Sequence, residues 1–220
     1  MPPKAPRKTA PKAGPDLSFE IEAGFNDGRI ICGVDEVGRG PLAGPVVACA
    51  VILPPDGLAE DLMRAINDSK ALKKSTREDL APAIRAHCRV GLGLAGVEEI
   101  DRLNILQATL AAMTRAVAEL GIDPHLALID GNKAPKLDCE TRTVVGGDGR
   151  CLSIAAASIV AKVERDRMME ELAQVFPGYG WDRNAGYGTA EHLAALERLG
   201  PTPHHRRSFS PVSKLFALSD

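Results

Sequence analysis

Apolar residues fall in short unbroken runs through the first two-thirds of the chain, with helical stripes between them. Residues 30–36 form an apolar run that closes on two acids, Asp35 and Glu36, and leads into the turn Gly38-Arg39-Gly40. Positions 46–53 are almost wholly apolar, the pattern of a strand buried on both faces. Residues 88–97 alternate apolar residues with glycine, 126–131 make a short run closing on Asp130 and Gly131, and 141–145 is a fifth candidate strand. Ser75-Thr76-Arg77-Glu78 has the spacing of a capping box, which predicts a helix from there to His87. The stripe Leu103, Leu106, Leu110, Met113, Val117 and Leu120 predicts a helix over 103–120 that stops at Gly121. Further helices are expected over 153–176 and over 189–199, the latter with Thr189 as N-cap and Gly200 as terminator. Strands mixed with helices, then helix and loop only, predict an α/β domain with a small C-terminal helical addition.

The chain has 220 residues, 45% of them apolar and 25% charged, enough for one domain with a real core. Residues 1–16 are expected to be a disordered basic, Pro-rich tail, since they have too little to bury. Within it Lys4, Arg7, Lys8 and Lys12 meet no acid before Asp16, so the first fifteen residues carry +4 and the rest −6 of the net −2. Such a tail is a solubilising leader or a non-specific arm for nucleic acid. The longest uncharged run, 40–55, holds four prolines and falls short of the roughly 20 residues a bilayer requires, so no membrane association is expected. Cys32, Cys49, Cys88, Cys139 and Cys151 are odd in number and contain no C-x-x-C pair. That argues against a disulfide scaffold or a zinc site and for a cytoplasmic location.

Two strands close on carboxylates, and strand ends are where sites assemble in mixed sheets. A third signal lies on the helix from Ser153, where Ser158, Lys162 and Asp166 are spaced i, i+4, i+8 on an otherwise apolar segment. Either this polar ridge faces a compensating site, or Lys162 and Asp166 pair on a solvated edge. Four acids with no cysteine or histidine beside them suit a hard cation, Mg²⁺ or Mn²⁺. An acidic body then accommodates a nucleic-acid substrate, because the metal supplies the positive charge.

The blocks Gly33-Val34-Asp35-Glu36-Val37-Gly38-Arg39-Gly40-Pro41-Leu42-Ala43-Gly44-Pro45, Asp68-Ser69-Lys70, Ile129-Asp130-Gly131-Asn132, Ala155-Ala156-Ala157-Ser158-Ile159-Val160-Ala161-Lys162 with Arg165-Asp166, Gly186-Tyr187-Gly188-Thr189 and His205-Arg206-Arg207-Ser208-Phe209 occur in this order. Together, over roughly residues 29–212, the chain resembles the type 2 ribonucleases H, specifically bacterial ribonuclease HII. The resemblance implies an RNase H-like mixed five-stranded sheet flanked by helices over 17–176, followed by a helical, substrate-contacting segment over 177–220. It implies that Asp35, Glu36, Asp130 and Asp166 are the catalytic, metal-holding carboxylates. Asp35 and Asp130 would be central, and Glu36 would act through its side chain or its carbonyl. The implied activity is metal-assisted hydrolysis of the RNA strand of RNA–DNA hybrids, with cutting 5′ of single ribonucleotides embedded in duplex DNA. The products carry 3′-hydroxyl and 5′-phosphate ends, and the work serves ribonucleotide and primer removal. Gly38, Arg39 and Gly40 are expected to contact the ribonucleotide, and Tyr187 to pack on the neighbouring sugar.

Lys70, Lys162, Arg206 and Arg207 are the candidate phosphate contacts. Residues 178–220 carry five basic and four acidic side chains, and six of the eight aromatics fall in the last 45 positions. Most of these aromatics are expected to form a second small core. His204 and His205 are expected to order the final segment and not to hold metal. Ser213-Lys214-Leu215-Phe216 faintly resembles a peptide that docks on a replication clamp, although apolar packing accounts for it more simply. A monomer is expected. The rival readings are a ribonuclease HIII, a junction resolvase, or a hybrid-binding module without catalysis.

Overall fold

In a computed structural model, which describes residues 14–216, the apolar runs pair into one five-stranded sheet. The strands are β1 (Ile31–Val37), β2 (Val46–Ile52), β3 (Arg89–Ala95), β4 (Leu126–Asp130) and β5 (Glu140–Val144), in the order β3-β2-β1-β4-β5. β1 runs antiparallel to β2 and parallel to β4; β2–β3 is antiparallel and β4–β5 parallel. The helices are α1 (Ser18–Glu22), α2 (Glu60–Ala65), α3 (Lys74–His87), α4 (Val97–Leu103), α5 (Ile105–Ala118), α6 (Leu152–Val175), α7 (Trp181–Asn184), α8 (Ala190–Leu199) and α9 (Val212–Phe216). The mixed sheet flanked by helices is the expected architecture.

β2 is buried on both faces as its composition predicts. Val46, Ala48 and Ala50 pack with α5, while Cys49 and Val51 pack with α6 and α3, following the two-residue period of a strand. The glycines of β3 have a steric cause. A Cβ on Gly91 or Gly93 would stand 2.1 Å from the Ala116 or Ala112 carbonyl, so their absence lets α5 lie directly on the strand.

Three local expectations are revised. The capping box does not form: α3 begins one residue early, with Lys73 at the cap and no side-chain cap bond. The stripe expected to begin at Leu103 starts at Ile105, because Asn104 takes a positive φ of 71° and accepts the Leu106 and Gln107 N–H groups, separating α4 from α5. Residues 1–13 of the expected tail lie outside the described residues, whereas Asp16 forms a parallel bridge with Cys151. α8 is capped by Thr189 and closed by Gly200 as expected. The C-terminal aromatics form a small core of Tyr179, Trp181, Met169 and Ala43, with Phe176 against it. Phe216's side chain lies outside the described residues. Among the described residues no helix is long and apolar enough to cross a membrane.

Candidate active site

The parallel pairing of β1 with β4 sets Val34 opposite Ile129, so the next residues, Asp35 and Asp130, end neighbouring strands side by side. Glu36 joins them where β1 runs out. One carboxylate oxygen from each of Asp35, Glu36 and Asp130 lies within 4.8 Å of the others. Asp35 is 4% exposed, and the other two are half-buried. The Glu36 N–H donates to Asp35 Oδ1 at 2.7 Å, and the Gly147 N–H donates to Asp130 Oδ1 at 2.7 Å. Burial, then the charges of Glu36 and Asp130, hold the Asp35 carboxyl well above the usual carboxylate range, against the pull of the Ser158 hydroxyl and the Glu36 N–H. Burial also raises Glu36, opposed by Arg39, whose Nη1 lies 3.3 Å from Glu36 Oε1. Burial raises Asp130 as well, and the nearby Asp148 adds to it. Three packed acids of this kind need a proton or a cation to compensate them.

Asp166 is not part of this group. Its carboxylate accepts from Lys162 Nζ at 2.6 Å and faces Arg77 at 3.9 Å. Helix geometry explains the separation: Ser158 is the ridge residue whose hydroxyl reaches Asp35, and Asp166 lies eight residues further, about 12 Å along the α6 axis. The i, i+4 pair on the helix edge is therefore what the ridge contains, and Lys162 is occupied by it. The acid beside the trio is Asp148, in a short 3₁₀ turn before α6. It is buried, and it accepts from Lys70 Nζ at 3.0 Å. Sequence reasoning missed it because Gly146-Gly147-Asp148-Gly149 reads as a plain loop. The available signal was an acid between glycines just ahead of a helix whose first turns are mostly apolar. Lys70 reaches this acid from a loop whose Ser69 hydroxyl meets that of Ser158 at 2.7 Å. Glu20, also missed, is buried, and its Oε1 accepts the Ser153 N–H at 2.7 Å in the first turn of α6.

The Gly38–Gly40 turn follows β1 directly. Arg39 and Gly40 are exposed, and a Cβ on Gly40 would lie 3.5 Å from the Tyr187 ring, which is 44% exposed. Arg206, expected at the phosphate surface, is instead fully buried and donates to the carbonyls of Gly38, Arg39 and Gly44. Arg207 is exposed, with its N–H on Asp101. Behind Tyr187, His192 and His205 order the segment. The Trp181 indole N–H donates to His192 Nε2 at 3.0 Å, His192 Nδ1 meets the Tyr187 carbonyl at 2.9 Å, and the Thr202 N–H donates to His205 Nδ1. Burial lowers both imidazoles, His205 to about 4, so they pack as neutral hydrogen-bonding partners, with His192 Nε2 3.1 Å from His205 Nε2.

The donor set of the trio is oxygen only, half-open on one side, and already under charge repulsion, which fits a hard divalent cation. A cavity of about 80 Å³ runs from Glu36 and Asp130 along Leu106, Leu110 and Met113 of α5. Comparison with known proteins agrees. The family model described as Ribonuclease HII matches residues 32–212. Ribonuclease HII of Paramagnetospirillum magneticum is 62% identical over 200 residues, 91% of this chain and 98% of that one. The crystal structure of ribonuclease H2 from Pyrococcus horikoshii matches with a TM-score of 0.71 at 25% identity, over 86% of this chain and 98% of its own. RNase HII from Archaeoglobus fulgidus, solved in complex with PCNA, matches with a TM-score of 0.68 at 25% identity, over 82% and 95%. Because the match runs from the first strand to the last helix, the chain belongs to the ribonuclease HII family, and its activity is that of a type 2 ribonuclease H endonuclease.

Proposed function

We propose that this endonuclease cuts the RNA strand of RNA–DNA hybrids and cuts 5′ of a single ribonucleotide embedded in duplex DNA, leaving 3′-hydroxyl and 5′-phosphate ends. The observation that carries the proposal is the acidic trio of Asp35, Glu36 and Asp130 standing immediately beside the exposed Gly38–Gly40 turn. The 2′-hydroxyl distinguishes RNA from DNA, and glycines allow main chain to approach it closely. The trio is the site we infer for Mg²⁺ or Mn²⁺, with Asp148 in the fourth position in place of Asp166. Asp35, Glu36 and Asp130 would hold such a cation, which would supply Lewis-acid charge at the phosphodiester. The chain's own residues orient the phosphate at that centre. Lys70 holds Asp148 and brings positive charge to the rim, Arg39 restrains Glu36, and the Gly38–Gly40 turn with Tyr187 flanks the ribonucleotide. Arg207 and the rest of 177–216 extend the surface along the duplex.

The cysteines of the described residues are all free, which supports a reducing cytoplasmic setting. The PCNA complex of the archaeal relative favours a sliding clamp as a partner for the C-terminus. In this chain Val212 and Leu215 pack inward with Leu42 and Leu196, so a clamp would have to engage the outer side of α9.

The deciding experiment maps the cut on a DNA–RNA₁–DNA duplex with Mg²⁺ and with Mn²⁺, beside an all-DNA duplex and a four-way junction. A single cut 5′ of the ribonucleotide supports the reading. Cutting of the junction would favour a resolvase, and binding without cutting in either metal would leave only a hybrid-binding module.

A further inference from the structure

The Gly38–Gly40 turn is shaped from behind by a residue far along the chain. Arg206 is fully buried, and among the described residues it has no ion-pair partner. Its donors all end on main-chain carbonyls: Nη2 on Gly38 at 2.6 Å and on Gly44 at 2.8 Å, Nη1 on Arg39 at 3.0 Å, and Nε on Gly44 at 3.0 Å. The guanidinium also lies 5.0 Å from the centre of the Phe209 ring. A second buried guanidinium, Arg165, takes the carbonyls of Pro45, Ala43 and Ala185, and a Cβ on Gly38 would collide with it at 2.2 Å. Two buried cations close enough to repel one another are a costly way to fill a core. Burial first, then Arg165, pull the Arg206 pKa down to about 9, which leaves it charged at neutral pH.

The grip fixes direction. In a planar trans peptide the C=O and the following N–H point opposite ways. With the Gly38 and Arg39 carbonyls drawn inward onto Arg206, the N–H groups of Arg39 and Gly40 face outward. Both residues are exposed, neither N–H has an acceptor among the described residues, and the Tyr187 ring lies beside Gly40. We infer that Arg206 is a positioning residue: without touching substrate, it presents the Arg39 and Gly40 N–H groups to the ribonucleotide. This rests on the reading of the turn as the ribonucleotide contact. Lysine cannot substitute, because a point ammonium lacks the planar fork that spans three carbonyls.

The test compares wild type, Arg206→Lys and Arg206→Ala by ¹⁵N amide spectra and by cleavage of a DNA–RNA₁–DNA duplex, with and without methylguanidinium. In Arg206→Lys the Arg39 and Gly40 amide resonances should move while those of β2 and β3 stay. kcat should fall by about 100-fold with KM changed far less, the loss expected when a contact is misplaced by a fraction of an ångström. Methylguanidinium should return about tenfold of the lost rate to Arg206→Ala and none to Arg39→Ala, since only the former leaves a cavity of that shape. If Arg206→Ala does not fold, the spectra and kinetics of Arg206→Lys decide. Unmoved Arg39 and Gly40 resonances in folded Arg206→Lys overturn the inference. Resonances that move while kcat holds overturn it too, and place the failure in the turn's substrate role instead of in the grip.

Discussion

Replacing Asp35 with asparagine should make the metal-free protein more stable while abolishing cleavage. The oxygens of Asp35, Glu36 and Asp130 lie within 4.8 Å of one another. At that separation each charged pair repels by about 0.9 kcal/mol in a water-like dielectric and about 3.5 kcal/mol at an effective constant of 20. Asp35 belongs to two of the three pairs and is the most buried of the acids. Part of the repulsion is already avoided by proton uptake, so Asp35→Asn should gain about 1–3 kcal/mol at neutral pH in EDTA, or about 3–10 °C in Tm for a chain of this size. Asparagine keeps the oxygen that accepts the Glu36 N–H. Folded Asp35 holds its proton to higher pH than the unfolded chain does, so the native state binds more protons in between. Wild-type stability is therefore fullest below the unfolded pKa, about 3.9, and declines as pH rises through the elevated folded value. Thermal unfolding followed by circular dichroism in EDTA, from about pH 4.5 to 8, reads this directly: wild type should lose Tm toward the alkaline end and Asp35→Asn should lose less. Mg²⁺ or Mn²⁺ should raise the wild-type Tm and barely move that of the variant. A variant that melts below wild type at neutral pH in EDTA would refute the charge argument.

Asp148→Asn should lower kcat by about 10–100-fold, the usual cost of removing a group that supports a metal site. Asp166→Asn should stay within about threefold, because it breaks only an edge ion pair; the two rates measured side by side check the exchange of roles. Tyr187→Ala should lose about tenfold more on a single-ribonucleotide duplex than on a long hybrid, and equal losses would exclude it from the junction. Arg207→Ala should weaken binding to every sequence and lower the salt slope by about one, as read from binding at several ionic strengths.

The strands were legible because β1, β2 and β4 are apolar runs too short to be helices and bounded by turn residues, whereas the pairing of β1 with β4, separated by two strands and four helices, was not. Asp35, Glu36 and Asp130 were legible as the acids that close those runs, and strand pairing brings their ends together. Asp166 misled because spacing cannot tell which turn of a long helix meets the site, and Ser158 is the one that does. Asp148 sits in a glycine-rich turn without periodicity, so its sequence signal is weak, and burial and the Lys70 contact are what set it apart. The run His204-His205-Arg206-Arg207 reads as a charged surface, and nothing in its composition says that Arg206 turns inward while Arg207 turns out. The boundary at Asn104 depends on one residue in a left-handed conformation, which a stripe of leucines hides.

The pairing of β1 with β4 means that the acids share one centre only through a bond between distant parts of the polypeptide. If these acids are the catalytic centre proposed above, a fragment ending before β4 or starting after β1 should not cut. Two pieces divided in the exposed loop that follows α5 should then regain cutting only when brought together, so the cleavage proposed above would report the association of any two proteins fused to them.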